Sequence, residues 1–185
     1  DALPICGRVT DVYSELAAKA AADVEGIAYA MSKTASIASS AGMEFETTSA
    51  FLTQMIETTQ EAPENIGTAM KTIIARFTEL KENVAGTADS EFEDLDYNKV
   101  DTALKSVGVS LKDASGQFRD LDDVFLELAE KWNTLDRNSQ RYIATIAAGS
   151  RQQSRFIAMM EDYDRTVELI DTAYNSAGRS SEQFA

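Results

Sequence analysis

A run of carboxylates between positions 89 and 101 is the first place to look for chemistry in this 185-residue chain. Asp94, Asp96 and Asn98 stand at the spacing of the first three ligands of an EF-hand calcium loop. Such a loop also needs a glycine at its sixth position for the sharp turn and a bidentate glutamate at its twelfth. Lys99 and Lys105 occupy those places. The stretch Asp89, Glu91, Glu93, Asp94, Asp96 and Asp101 therefore reads as a solvated acidic face, and no metal is expected. Histidine is absent, which removes the usual general base and the commonest metal ligand. Cys6 is the single cysteine, so neither an internal disulfide nor a thiolate zinc site can form. Carboxylate pairs can cut sugars, but no Asp or Glu here stands in an aromatic, sugar-binding context. No G-x-S-x-G, P-loop or H-E-x-x-H pattern occurs. No catalytic, cofactor-binding or metal-ligating residue is assigned, and the chain reads as a non-enzyme.

Positive charge gathers late in the chain. Lys131, Arg137, Arg141, Arg151 and Arg155 are set against only Glu130 and Asp136. Arg137 and Arg141 are four apart, as are Arg151 and Arg155, so each pair shares a helix face. Two readings stand. The four arginines form a protein-contact patch, or they fold back onto the acidic stretch at 89–101, where a surface ion pair contributes only about 0–1 kcal/mol. With 17 basic and 31 acidic side chains the net charge is −14. Direct nucleic-acid binding is not expected, because phosphate contacts need clustered Lys and Arg. No run of 18 apolar residues occurs, so neither a membrane span nor membrane contact of this segment is expected.

The elements that must carry these residues are helical. From Pro63 the apolar positions Ile66, Met70, Ile73, Ile74, Phe77 and Leu80 recur at three- and four-residue steps. Pro63 suits a first helical turn, and Gly67 weakens that helix by about 1 kcal/mol relative to alanine. A second stripe is Leu121, Val124, Phe125, Leu128, Trp132 and Leu135. Asp120 is placed to cap it, with Asp122 and Asp123 against the positive end of its dipole. Further helices are predicted over about 10–24, 27–41, 47–60, 92–107, 138–148, 151–162 and 164–176. Ser90 with Glu93 and Ser150 with Gln153 have capping-box spacing. Gly42, Gly86, Gly108, Gly149 and Gly178 each follow a helical pattern, as C-terminal caps do. The expected fold is all-α, a multi-helix bundle of short helical hairpins, with possible subunits at 10–86 and 90–178.

One segment breaks the pattern. Val109 to Phe118 has two short apolar arms around Asp113–Gly116 and reads either as a small β-hairpin or as an irregular turn. In the Ala/Ser-rich helix, Ala28, Ser32, Ala35 and Ser39 form a small-residue stripe suited to close helix packing. A loose internal repetition links ASSAGMEF (38–45) before one apolar helix with LKSVGVSL (104–111) before another.

The second half carries a specific resemblance. GVSLKDASGQFRDLDDVF, LAEKWNTL, QRYIATIAAGSRQQSRF and MMEDYDRT, all within Lys99–Thr166, resemble the core of phage tail tape-measure proteins. Upstream, ETTQEAPENIGTAMKTIIARFTEL (Glu57–Leu80) resembles the same family in the same order. The resemblance implies a virion structural protein, encoded by a phage or prophage, that sets tail length during viral tail assembly and leaves ahead of the DNA at genome ejection. It implies a place in the virion tail lumen, with the host cytoplasm as the site of assembly. The implied partners are other tape-measure copies, the tail tube protein, tail assembly chaperones and the baseplate hub. Two alternatives share parts of this reading. One is the tape measure of a phage-derived contractile particle, a bacteriocin or injection system. The other is a peptidoglycan-cutting tail enzyme, for which no motif is present. The chain starts at Asp1 and stops just after Ser180 and Gln183, which have capping-box spacing, so a fragment of a longer chain is expected. A ruler made of continuous helix conflicts with the breaks at Gly42, Pro63, Gly86, Gly108, Gly116 and Gly149. Both a compact and an extended state stay open.

Overall fold

The computed structural model describes residues 3–78 and 97–176. Among them lie eight helices: α1 (Leu3–Lys19), α2 (Val24–Ser40), α3 (Phe45–Thr59), α4 (Pro63–Phe77), α5 (Tyr97–Lys105), α6 (Leu121–Trp132), α7 (Arg137–Glu161) and α8 (Tyr163–Tyr174). The fold is all-α, as the three- and four-residue periodicity predicts. The segment at 109–118 makes a small hairpin. Its one antiparallel bridge joins Lys112 to Phe118, and the Asp113 carboxylate accepts from the Ser115 and Gln117 backbone N–H groups at 2.8 and 3.0 Å. Gly116 supplies the positive φ of 83° that closes the turn.

Several boundaries differ from the sequence expectation. The first helix lies at Leu3–Lys19, not 10–24. Asp23 ends that reading, because its carboxylate accepts from the Gly26 N–H and opens α2 at Val24. α6 stops at Trp132, where Thr134 and Leu135 fold into a turn on the Lys131 and Trp132 carbonyls. Asp120 makes no side-chain cap on α6. Instead the Leu121 N–H donates to the Ala41 carbonyl at 3.0 Å, so the end of α2 seals the start of α6. Gly42 and Gly108 do end helices at positive φ. In both cases the following N–H closes a six-residue loop, Met43 to Ala38 at 2.9 Å and Val109 to Leu104 at 3.0 Å. Gly86, Gly178, the Ser90–Glu93 and Ser180–Gln183 spacings and the carboxylates at 89–96 lie outside the described residues.

α3 is the central helix. Every residue from Glu46 to Ile56 is buried, polar ones included. Burial of Thr48, Ser49 and Thr53 is possible because each hydroxyl donates to the carbonyl four residues back, at 2.7–2.8 Å. The Gln54 amide reaches the Ala158 carbonyl at 2.7 Å. Around α3 runs a chain of aromatic rings: Phe51 on Phe125, Phe125 on Phe77, Phe77 on Phe156 and Phe156 on Trp132, with centroids 4.9–6.1 Å apart. One cluster of buried side chains extends from Val12 to Ala173.

α2 and α4 cross at backbone contact. The small-residue stripe that permits this is not Ala28, Ser32, Ala35 and Ser39. Ser32, Ala35 and Ser39 are exposed, and the buried face is Gly26, Ile27, Ala30, Met31, Thr34 and Ala38. Those two stripes are one helical phase apart, and only the position of α4 chooses between them. At the crossing, Gly67 lies so near α2 that a Cβ there would sit 2.8 Å from the Ala30 carbonyl oxygen and 3.1 Å from its Cα. Thr34 donates to the Gly67 carbonyl at 3.2 Å. Gly67→Ala is therefore expected to destabilise by about 1–3 kcal/mol through overpacking, outweighing the ~1 kcal/mol gained in helix propensity. Urea denaturation followed by circular dichroism checks the sign, and a net stabilisation would contradict the close crossing.

Candidate interaction surface

The late arginines are distributed by two features of α7, its N-cap and its break. Asp136 caps the helix. Its carboxylate accepts from the Asn138 and Ser139 N–H groups at 2.9 and 3.1 Å and from the Ser139 hydroxyl at 2.6 Å. These bonds, that of the hydroxyl foremost, hold the Asp136 carboxyl below its ordinary value. The Gln140 amide donates to the Trp132 carbonyl at 2.8 Å, which seats the first turn of α7 on the end of α6. Arg137 and Arg141, one turn apart, are exposed and make no ion pair among the described residues. Tyr142 beside them is 55% exposed, and the Thr145 hydroxyl continues the face by donating to the Arg141 carbonyl at 2.8 Å.

The helix then reverses. Gly149 has φ 74° and ψ 167° inside α7. In a straight helix, residues 133 and 161 would lie about 40 Å apart. Here the Asn133 side chain donates to the Glu161 carbonyl at 3.1 Å, and the Gln153 amide reaches the Arg141 carbonyl at 3.5 Å. The two halves of α7 thus form a helical hairpin with one residue at the bend. No Ser150–Gln153 capping box forms among the described residues; the Gln153 N–H₂ group donates to the Arg141 carbonyl.

Past the bend the remaining two arginines separate. Arg151 is exposed. Arg155 turns inward and pairs with Glu61 through Nε at 3.0 Å, with Gln152 accepting from its Nη1. Arg165, which sequence reasoning passed over, does the same one element later. It grips Glu57 through two N–H···O bonds of 3.0 Å, and donates to Glu168 and to the Lys19 carbonyl. Glu57 holds that guanidinium above the ordinary arginine value. Two arginines of the C-terminal third thereby tie α7 and α8 to the end of α3. Arg155 thus has an internal partner in Glu61, while the fold-back expected onto 89–101 concerns a stretch that lies mostly outside the described residues. Asp101, the described acid of that stretch, pairs with Lys105 at 2.6 Å. The four-residue patch is thus divided: Arg137 and Arg141 share one open face, Arg151 is exposed beyond the bend, and Arg155 is engaged internally.

A second charged site is acidic. Asp122, buried at the start of α6, accepts from the Glu44 N–H at 2.7 Å and so caps α3 from 78 residues away. Its other oxygen has no hydrogen-bond partner among the described residues. Burial is the main cause that pushes this carboxyl up to about 7, and the nearby Glu44, Asp123 and Asp120 add to it. Beside it a cleft of about 450 Å³ opens between Ser39–Gly42, Phe77, Phe118 and Asp120–Leu121. Among the described residues no group of three or more Asp, Glu or Cys side chains is placed to hold a metal ion, and no helix is long and apolar enough to cross a membrane. Asp122 is engaged as a cap, and among the described residues no nucleophile or second acid lies hydrogen-bonded to it. The arrangement leaves an Arg/Tyr face exposed on α7 and places a buried acidic corner at the α3–α6 junction.

Comparison with known proteins gives one match of wide extent. A family model described as phage-related minor tail protein matches residues 5–149. No solved structure matches the chain.

Proposed function

Since the chain belongs to the phage-related minor tail protein family, we propose that it is a segment of a tail tape-measure protein. In this reading it occupies the tail lumen, sets tail length during assembly and leaves ahead of the DNA. It works without catalysis, through contacts with other copies of itself, the tube protein, assembly chaperones and the baseplate hub. The observation that carries the reading is the family match over residues 5–149. The tape-measure-like runs at Glu57–Leu80 and within Lys99–Thr166 sharpen it. The charge of −14 is consistent with a lumen protein that must not hold the DNA following it, because like charge repels phosphate. The exposed face of Arg137, Arg141 and Tyr142, with Arg151 beyond the bend, is the surface we assign to protein docking. Arg and Tyr are the side chains that carry most energy in such interfaces.

The ruler role makes a length prediction. Residues 5–149 deleted in frame from the tail gene that encodes them should shorten tails seen by electron microscopy. A region extended as continuous helix in the tail removes about 1.5 Å per residue, or roughly 220 Å in all. Duplication of the same stretch should lengthen tails equally. Tails of unchanged length in both variants would overturn the ruler reading of this segment.

A further inference from the structure

We propose that Gly149 is a hinge between the observed fold-back of α7 and a single continuous helix over Arg137–Glu161, with the Arg76 side chain as the latch of the folded-back state. The first observation is the backbone at the bend. φ 74° with ψ 167° lies in a region open essentially to glycine alone, and such outliers persist only where the surroundings over-determine them. The second is how little else at the bend resists a helix. The flanking run is Ala147, Ala148, Ser150, Arg151, Gln152 and Gln153. It contains no proline and no second glycine, and Ala, Arg and Gln are strong helix formers. The three- and four-residue spacing of buried residues also passes through the bend, with the polar Gln152 as its one non-apolar member. Ala144, Ala148, Gln152, Phe156 and Met159 are all buried and follow one another at steps of four, four, four and three. A turn between two independent helices has no need to keep that phase.

The latch comes from α4. Arg76 donates to the Ile146 carbonyl, one of those left open where the first half of α7 ends. Its guanidinium also fills the space beside the bend: a Cβ at position 149 would lie 2.8 Å from Arg76 Nη2. The Asn133–Glu161, Gln153–Arg141 and Arg155–Glu61 contacts hold the two halves in place. The first two join the sides of the bend and must break for α7 to straighten, whereas Arg155–Glu61 holds the second half to the end of α3. Straightening also uncovers Phe156, Met159 and Met160, which are fully buried in the folded-back state. The straight form therefore needs another surface over that stripe, and in the isolated chain the folded-back form prevails. The hinge converts a compact hairpin into a rod of about 37 Å. It is a property of this chain whether or not the ruler reading holds.

Spin labels at exposed positions 138 and 161 test it, introduced as Asn138→Cys and Glu161→Cys in a Cys6→Ser background of the whole chain. Electron double resonance on this parent should give one short distance, about 10–20 Å, set by the 8–10 Å between packed helices and the label arms. Gly149→Ala, which cannot hold the bend, should move a measurable population to about 35 Å while circular dichroism keeps or gains helicity. Arg76→Ala leaves the glycine in place and should raise the same long-distance population to a smaller extent. A short distance only, in both variants, would overturn the hinge. So would loss of helicity in Gly149→Ala together with an Arg76→Ala variant that shows no long distance, since Gly149 would then be a turn with no second folded state.

Discussion

Replacing Trp132 by alanine is expected to lower the unfolding free energy by about 3–5 kcal/mol, the range for deleting a buried aromatic ring. The residue has no exposed surface. Its ring meets Phe156 edge-on at 5.7 Å, and Phe156 passes the contact to Phe77 and Phe125. Truncation therefore opens a cavity where α6, α7 and α4 meet, and these close-packed helices cannot fill it without moving together. Domains of this size have only about 5–15 kcal/mol in total, so the variant should unfold at much lower urea. Trp132→Phe separates ring from indole. The indole N–H has no hydrogen-bond partner among the described residues, so phenylalanine loses volume without stranding a donor, and the cost should fall to a fraction of that of alanine. A double-mutant cycle with Phe156→Ala should return a coupling of about 0.5–1.5 kcal/mol for the edge-to-face pair. A loss under about 1 kcal/mol in Trp132→Ala would contradict a buried ring.

The second large effect depends on pH. Burial pushes the Asp122 carboxyl up to about 7, against an ordinary aspartate near 4 in the unfolded chain. Between those values the folded protein binds a proton that the unfolded chain has released. Stability from this group is thus fully present below about pH 4 and is lost as pH rises through about 7. At ~1.4 kcal/mol per unit, the ionised form costs the fold about 4 kcal/mol at pH 8. Asp122→Asn cannot ionise, yet it keeps an oxygen for the Glu44 N–H. Its amide N–H₂ takes the place of an oxygen that has no partner, much as the O–H of the protonated Asp122 does. The variant should therefore be close to the parent near pH 4 and more stable by up to about 4 kcal/mol at pH 8. Urea midpoints should agree at the lower pH and separate at the higher. A difference that does not change with pH would show that Asp122 titrates normally. Asp122→Ala, which leaves the Glu44 N–H unpaired at both pH values, should gain less than asparagine at pH 8.

The charged residues show how far local reasoning reaches. Four arginines at i,i+4 spacing were visible as two helix faces, and Arg137 with Arg141 do share one. That Arg155 meets Glu61 and Arg165 meets Glu57 was not visible. Those partners are 94 and 108 residues apart, and no short-range pattern marks which of 31 acids each arginine will find. Asp122 was legible only as a favourable charge on the first turn of α6. Its capping of α3 depends on the end of α2 being seated against α6 through the Leu121–Ala41 hydrogen bond.

The sequence by itself determined the helical class, most helix stretches, the turn at Asp113–Gly116, the glycine caps at 42 and 108 and the acidic charge. All of these follow from interactions within about four residues: the i to i−4 backbone bond, the side-chain periodicity it imposes, and the positive φ that glycine accepts at a helix end. Only the tertiary structure decided which face of each helix is covered. α3 carries an ordinary apolar stripe at Phe51, Leu52, Met55 and Ile56, yet its Thr and Ser face is buried as well, because neighbours pack on all sides and the hydroxyls find carbonyls on their own helix. α2 buries Ala30 and Thr34 and leaves Ser32 and Ala35 exposed, because Gly67 lets α4 approach along that line and no other. At Gly149 the break between the 138–148 and 151–162 stretches was legible, because a glycine after a helical pattern accepts the positive φ found there. The direction in which the chain turns was not: the contacts of Asn133, Gln153 and Arg76 fix it, and they exist only once distant segments have been brought together.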